Sequence, residues 1–166
     1  SHNLSKHLIG KVKAKWDETM ICCGGNHATN YYSQLLSDSK IDFVVRGEAE
    51  LSFTELISEI KAGNEDFEIS GIIDRKKLEN KAIDSSPLVQ DLDEIPMPAY
   101  DLLDLDAYKN EQESNPNNVI GASIMLSRGC PFKCTFCATN TVHGYSMRYP
   151  SNEKVINQLT YLIREN

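Results

Sequence analysis

No run of apolar residues in this 166-residue chain reaches the ~18 that a membrane-spanning helix requires. Its first residues are polar and charged where a secretory signal would be apolar. Both absences point to a cytoplasmic protein without a membrane partner. Basic residues are in deficit as well: 17 Lys and Arg stand against 24 Asp and Glu, a formal charge of −7. Nonspecific contact with nucleic acid or an anionic membrane rewards basic patches, so neither partner is expected. Cysteine is scarce, five in all, and its placement builds no disulfide framework. Cys22 and Cys23 are adjacent in an apolar run, where free cysteine acts as a small core hydrophobe, and the other three crowd into one loop.

A chain of this length can bury roughly 70% of its unfolded surface, which suits one domain or parts of two. It begins at Ser1 without a methionine and ends at Asn166 inside a helical pattern, as a fragment, a processed chain or an expression product would. Leu4, Leu8, Ile9, Val12 and Trp16 recur near helical spacing between lysines, which predicts an amphipathic helix ending near Trp16. Met20 to Cys23 is a short apolar run fit for a buried parallel strand, closed by Gly24-Gly25. Thr29 or Asn30 could cap the next helix, and Asp42 to Val45 reads as a second buried strand. After the turn Arg46-Gly47-Glu48, Phe53, Leu56, Ile57 and Ile60 mark a helix face, with Gly63 at its end. Runs at Glu68 to Asp74 and Lys81 to Asp84 suggest an edge hairpin. The alternation of strand and helix predicts an α/β fold over residues 1–84, a doubly wound parallel sheet.

From Ser85 to Asn118 prolines interrupt an acidic stretch, which reads as an interdomain linker whose apolar residues lie against a surface. Residues 119–166 open on a β-like run, Val119 to Leu126, and close on a helix capped by Ser151 with Val155, Ile156, Leu159, Leu162 and Ile163 at helical spacing.

Between them lies S-R-G-C-P-F-K-C-T-F-C, with Cys130, Cys134 and Cys137 at C-x3-C-x2-C spacing within eight residues. Soft thiolates so close together select zinc, copper(I) or an iron–sulfur cluster over hard ions. A four-iron cluster held by three cysteines would leave one iron without a protein ligand. The residues alone also admit a structural zinc site, because His143, six positions past Cys137, could complete a closed tetrahedron.

This loop resembles the cluster loop of the radical S-adenosylmethionine enzymes, whose signature is C-x3-C-x-aromatic-C, with Phe136 in the aromatic position. The resemblance implies that Cys130, Cys134 and Cys137 hold a [4Fe–4S] cluster, that the open iron chelates S-adenosylmethionine, and that Phe136 packs near the adenine. It implies cleavage to a 5′-deoxyadenosyl radical, and an electron donor such as flavodoxin or ferredoxin. Residues 119–166 would then be the first β/α unit of a TIM-type barrel.

G-G-N-H-A-T (Gly24 to Thr29), D-F-V-V-R-G-E-A-E (Asp42 to Glu50) and D-L-D-E-I-P-M-P-A-Y-D-L-L (Asp91 to Leu103) add to the likeness. Together with the cysteine loop they resemble the cobalamin-binding-domain subgroup of that family. In this subgroup a Rossmann-like cobalamin domain precedes the barrel, and residues 1–84 would be its C-terminal part. Gly24 and Gly25 would let the nucleotide tail of cobalamin approach the backbone. Read as residues, both glycines serve equally as strand-to-helix turn chemistry, and Glu48 and Glu50 as acids suited to a helix's first turn. The axial-histidine signature D-x-H-x-x-G does not occur, and His27 does not match it, reading as a loop histidine.

Two classes of function follow. One is a radical enzyme acting by methyl transfer or rearrangement on a small-molecule, natural-product or lipid substrate. The other is a non-catalytic Rossmann-like binding module with a zinc site or a vestigial cluster loop.

Overall fold

The computed structural model describes residues 2–64, 66–103 and 124–164. The chain forms two compact units, Ser1–Val89 with Gly129–Ser146, and Gln90–Arg128 with Met147–Asn166.

The first unit is α/β. Helix α1, His2–Lys15, places Lys13 and Lys15 in its last turn, where the negative end of the helix dipole favours them. Strand β1, Cys22–Cys23, leads through the two glycines into α2, Asn26–Leu36. Strand β2, Phe43–Val45, is followed by α3, Glu50–Lys61, with Glu50 in the first turn and Lys61 in the last. Strand β3, Ile72–Ile73, runs into the short helix α4, Arg75–Glu79, capped by the Asp74 side chain accepting from the Lys77 amide.

Strand β2 is central, and its side chains are covered on both faces. Successive residues of a strand point to opposite sides. Val44 joins Ile73, Ile41, Leu36 and Ala28 in one apolar cluster, while Val45 joins Ile72, Leu56 and Ile69 in another. Each such aliphatic side chain, hidden from water, contributes about 1.5–3 kcal/mol. That two-sided burial is why Asp42 to Val45 reads as continuously apolar after its first residue.

The sheet departs from the parallel, doubly wound expectation in one respect. Strands β1 and β2 are parallel, with Cys22 opposite Phe43, but β3 is antiparallel to β2, with Val44 opposite Ile73. The edge hairpin with Lys81 to Asp84 does not form. Residues 75–79 turn helical directly after β3, and Asp84 instead accepts the Gly71 amide through its side chain at 3.0 Å. Helix α2 also starts earlier than expected. Gly25 occupies the N-cap, the Thr29 amide bonds the Gly25 carbonyl at 2.9 Å, and Tyr31 bends the helix with φ −121°. His27 therefore lies in a helical turn and not in a loop, its ring stacked on Tyr31 at 5.0 Å.

In the second unit, single-turn 3-10 helices occupy Leu92–Glu94 and Tyr100–Leu102. Of the β-like run Val119 to Leu126, residues 119–123 lie outside the described residues, as does 104–118 of the expected linker, and Ile124 to Leu126 take no strand conformation. Arg128 and Arg148 exchange both backbone hydrogen bonds, at 2.9 and 2.8 Å, in an isolated antiparallel bridge. The closing helix, Asn152–Arg164, is capped as its sequence predicts, the Ser151 hydroxyl accepting the Lys154 amide at 3.1 Å.

That helix is pinned by two groups. The Asp93 carboxylate takes hydrogen bonds from the Ser151 side chain and from the Ser151 amide, the latter at 2.8 Å, and these hold its pKa below the usual carboxylate value. The Lys154 ammonium donates to the carbonyls of Leu92, Asp93 and Ile95, spending all three of its protons on one turn of backbone. We expect Lys154→Met to weaken this turn by about 1.5–3 kcal/mol, the worth of hydrogen bonds to a charged group. The loss is read as faster amide exchange along Asn152–Arg164. Because the Asp93 carboxyl titrates lower when folded, its contribution is present above the ordinary value of 3.8 and is lost as pH falls through the folded one. Exchange at the Ser151 amide should accelerate over that acid range, and should be insensitive to it in Asp93→Asn.

Candidate functional site

The cysteine loop belongs to the first unit, and its shape comes from three local restraints. Gly129 has φ +87°, a left-handed conformation, and a Cβ there would stand 2.0 Å from the Ser146 carbonyl oxygen, so only glycine fits. The Cys130 amide bonds the Gly144 carbonyl at 3.2 Å, which closes the loop across its base. The Asn140 carboxamide donates to the Phe132 carbonyl at 2.6 Å, and the Cys137 amide bonds the Cys134 carbonyl at 3.1 Å. After the last cysteine the chain forms helix α5, Thr139–His143, which the sequence reading passes over because five residues carry too little periodicity.

All three thiols are free. Cys130 is half-buried, and Cys134 and Cys137 are exposed. Cys137 Sγ lies 3.3 Å from Thr139 Oγ1, and hydrogen bonds from that hydroxyl and from the Thr139 backbone amide bring its pKa below the usual thiol value. Phe136, between the two exposed cysteines, is 91% exposed, so its ring offers a face that no side chain covers. As the loop lies, no group of three His, Cys, Asp or Glu among the described residues is arranged to hold a metal ion. What fits an iron–sulfur centre is the donor set itself, three unpaired sulfurs on one exposed loop, the ligand type such clusters take.

His143 is engaged elsewhere. Its Nδ1 lies 2.9 Å from Oε1 of Glu48, a carboxylate only 1% exposed in the turn after β2. The other oxygen, Oε2, accepts the Val89 amide at 2.8 Å. Asn30 of α2 donates to Thr141 Oγ1 at 3.0 Å, a second tie between α5 and the sheet unit. The first-turn reading of Glu48 gives way to this inward contact. No local signal could have found it, since Glu48 and His143 are 95 positions apart.

Gly24 and Gly25 lie at the C-terminal end of β1, and Gly25 has φ +90°. A Cβ on Gly24 would meet only Val45 Cβ, at 3.9 Å, and one on Gly25 would meet nothing within 4 Å. The backbone there is open to approach, and the left-handed turn explains glycine at 25 with or without a ligand. A cleft of about 410 Å³ opens beside Gly24, bounded by Ser5, Lys6 and Ile9 of α1 and by His27 and Ala28 of α2.

Cys22 and Cys23 behave as core residues. Burial, then the neighbouring Cys23, pushes the Cys22 thiol up to about 12. Burial also raises Cys23, helped by Asp38.

No family profile matches the chain, so its kinship rests on individual relatives. It is 36% identical over 161 residues to an uncharacterized methyltransferase of Pyrococcus horikoshii, covering 94% of this chain and 33% of that protein. It is 31% identical to the hopanoid C-3 methylase of Methylococcus capsulatus, over 92% of this chain and 28% of the methylase. It is also 31% identical to the anaerobic magnesium-protoporphyrin IX monomethyl ester cyclase of Synechocystis, over 82% of this chain and 26% of the cyclase. The chain thus spans a third or less of the length of these relatives. Among the described residues no helix is long and apolar enough to cross a membrane.

The contrast among the thiols is measurable. With no metal bound and at neutral pH, iodoacetamide should modify Cys137 first and Cys22 last, because the thiolate is the nucleophile and its fraction falls as pKa rises. Peptide mapping of a time course checks the order. Equal rates at Cys22 and Cys137 would contradict it.

Proposed function

The chain belongs to the cobalamin-binding-domain subgroup of the radical S-adenosylmethionine enzymes, and from that premise we propose that Cys130, Cys134 and Cys137 ligate a [4Fe–4S] cluster whose remaining iron takes S-adenosylmethionine. One observation carries this reading: three free thiols at C-x3-C-x2-C spacing on a single loop, with the exposed ring of Phe136 among them. The chemistry supplied by the bound group is one-electron cleavage of the sulfonium, giving methionine and a 5′-deoxyadenosyl radical that abstracts hydrogen.

The chain's own residues bind and orient. Thr139 favours the thiolate of Cys137, which is the form that ligates. Asn140 holds the Phe132 carbonyl and with it the turn between the first two cysteines. Phe136 offers a stacking face to the adenine. Gly24 and Gly25 leave the backbone at the end of β1 open to the nucleotide tail of cobalamin.

In the longer protein, residues 1–84 are the C-terminal part of a Rossmann-like cobalamin domain, 85–118 a linker, and 119–166 the first β/α unit of the barrel. The reaction is methyl transfer or a ring-forming rearrangement on a small-molecule, natural-product or lipid substrate, with electrons from a flavodoxin or ferredoxin in the cytoplasm. That the relatives include a methyltransferase, a methylase and a cyclase supports that range.

Anaerobic reconstitution with iron and sulfide tests the reading. The chain should turn brown, bleach in air and carry about four irons, and Cys130→Ala, Cys134→Ala or Cys137→Ala should each abolish uptake while Cys22→Ala and Cys23→Ala retain it. Iron content in Cys134→Ala equal to the parent's, or a colourless zinc protein, would sink the assignment. In the longer protein, Phe136→Ala should weaken S-adenosylmethionine binding by about 1–3 kcal/mol, the usual worth of a base stacked on an aromatic, with iron unchanged. Calorimetric titration checks it.

A further inference from the structure

We propose that Glu48 is a positioning residue for the cysteine loop, acting through His143. A carboxylate shut away from water is costly unless both oxygens are matched. Those of Glu48 face His143 Nδ1 at 2.9 Å and the Val89 amide at 2.8 Å. Glu48 follows β2, the central strand of the sheet, whose Val44 and Val45 are buried, so its position is set by the core and not by the loop.

From His143 the restraint passes to both ends of the cysteine run. The next residue, Gly144, accepts the amide of Cys130, the first cysteine. Three residues back, Asn140 holds the Phe132 carbonyl, and Thr141 is tied to Asn30 of α2. A buried charge at the end of the central strand thereby fixes where an otherwise exposed loop presents its sulfurs. A residue serving only its own helix would point along the first turn of α3, whereas this side chain turns inward to His143.

The inference rests on the cluster reading, because the position being set is the cluster's. Its test therefore has one arm without iron and one with it. In the metal-free chain, amide exchange at 139–144 should run about tenfold faster in His143→Ala, as expected for loss of a hydrogen bond to a charged group, with β1, β2 and α3 unchanged. His143→Asn, which keeps a donor near the Nδ1 position, should restore most of the protection. Glu48→Gln keeps shape and acceptor but drops the charge, and should fall between them.

In the reconstituted chain, His143→Ala should bind the parent's complement of iron while the reduction potential and electron paramagnetic resonance signal of the cluster shift, and His143→Asn should return both toward the parent. A loosened loop with an unmoved signal overturns the proposal, as does unchanged exchange. Loss of iron in His143→Ala also overturns it, by making His143 a ligand. If the parent takes up no iron, the cluster reading fails, and the exchange arm still decides whether Glu48 restrains the loop.

Discussion

A single carboxylate with almost no access to water organises the first unit. Glu48 cannot be left unmatched where it lies, and its two oxygens draw in partners from distant parts of the chain, the Val89 amide and the ring of His143. Removing either partner leaves a buried carboxylate oxygen unmatched, which carries the desolvation cost of a buried polar group. The segment ending at Val89 and the helix behind the cysteine loop are thus bound to the same point at the end of β2. Without that point the loop would keep its local restraints at Gly129 and Asn140 and the single tie from Asn30 to Thr141.

The point is itself held by the sheet. Val44 and Val45 are buried on opposite faces of β2, so a shift of register by one residue would exchange the two apolar clusters and unseat the turn Arg46-Gly47-Glu48. Thr29, buried in α2, accepts the Gly47 amide through its hydroxyl at 3.1 Å, which locks this turn to the helix that follows Gly24 and Gly25. The stiffness of a small mixed sheet is in this way handed to two places, the glycine pair and the cysteine loop.

The second unit uses the same physics with the opposite charge. An ammonium with three donors, Lys154, gathers three carbonyls of one turn, and Asp93 in that turn returns a hydrogen bond to the start of the Lys154 helix. In each unit one polar side chain ties together stretches that are far apart in the sequence.

Local features were legible from the sequence alone. The cysteine spacing, the aromatic at 136, the Ser151 cap, the strand at Asp42 to Val45 and the presence of the first helix depend on neighbours within a few positions, where periodicity and capping chemistry act; that Leu4, Leu8 and Trp16 of its apolar set stay exposed, with Ile9 on the core, does not. Three matters waited for the tertiary structure. The direction of β3 is decided by pairing with β2, since a two-residue apolar strand fits either orientation. The start of α2 at Gly25 is decided by a left-handed turn that the residue type permits but does not compel. The partnership of Glu48 with His143 spans 95 positions, and a glutamate in a helix-initiating turn looks the same on paper whether it faces solvent or core. The sequence by itself determined which atoms are available for chemistry, because donor type and spacing are covalent facts. Only the fold decided where those atoms are held, because the desolvation of one carboxylate has no meaning until the chain around it has closed.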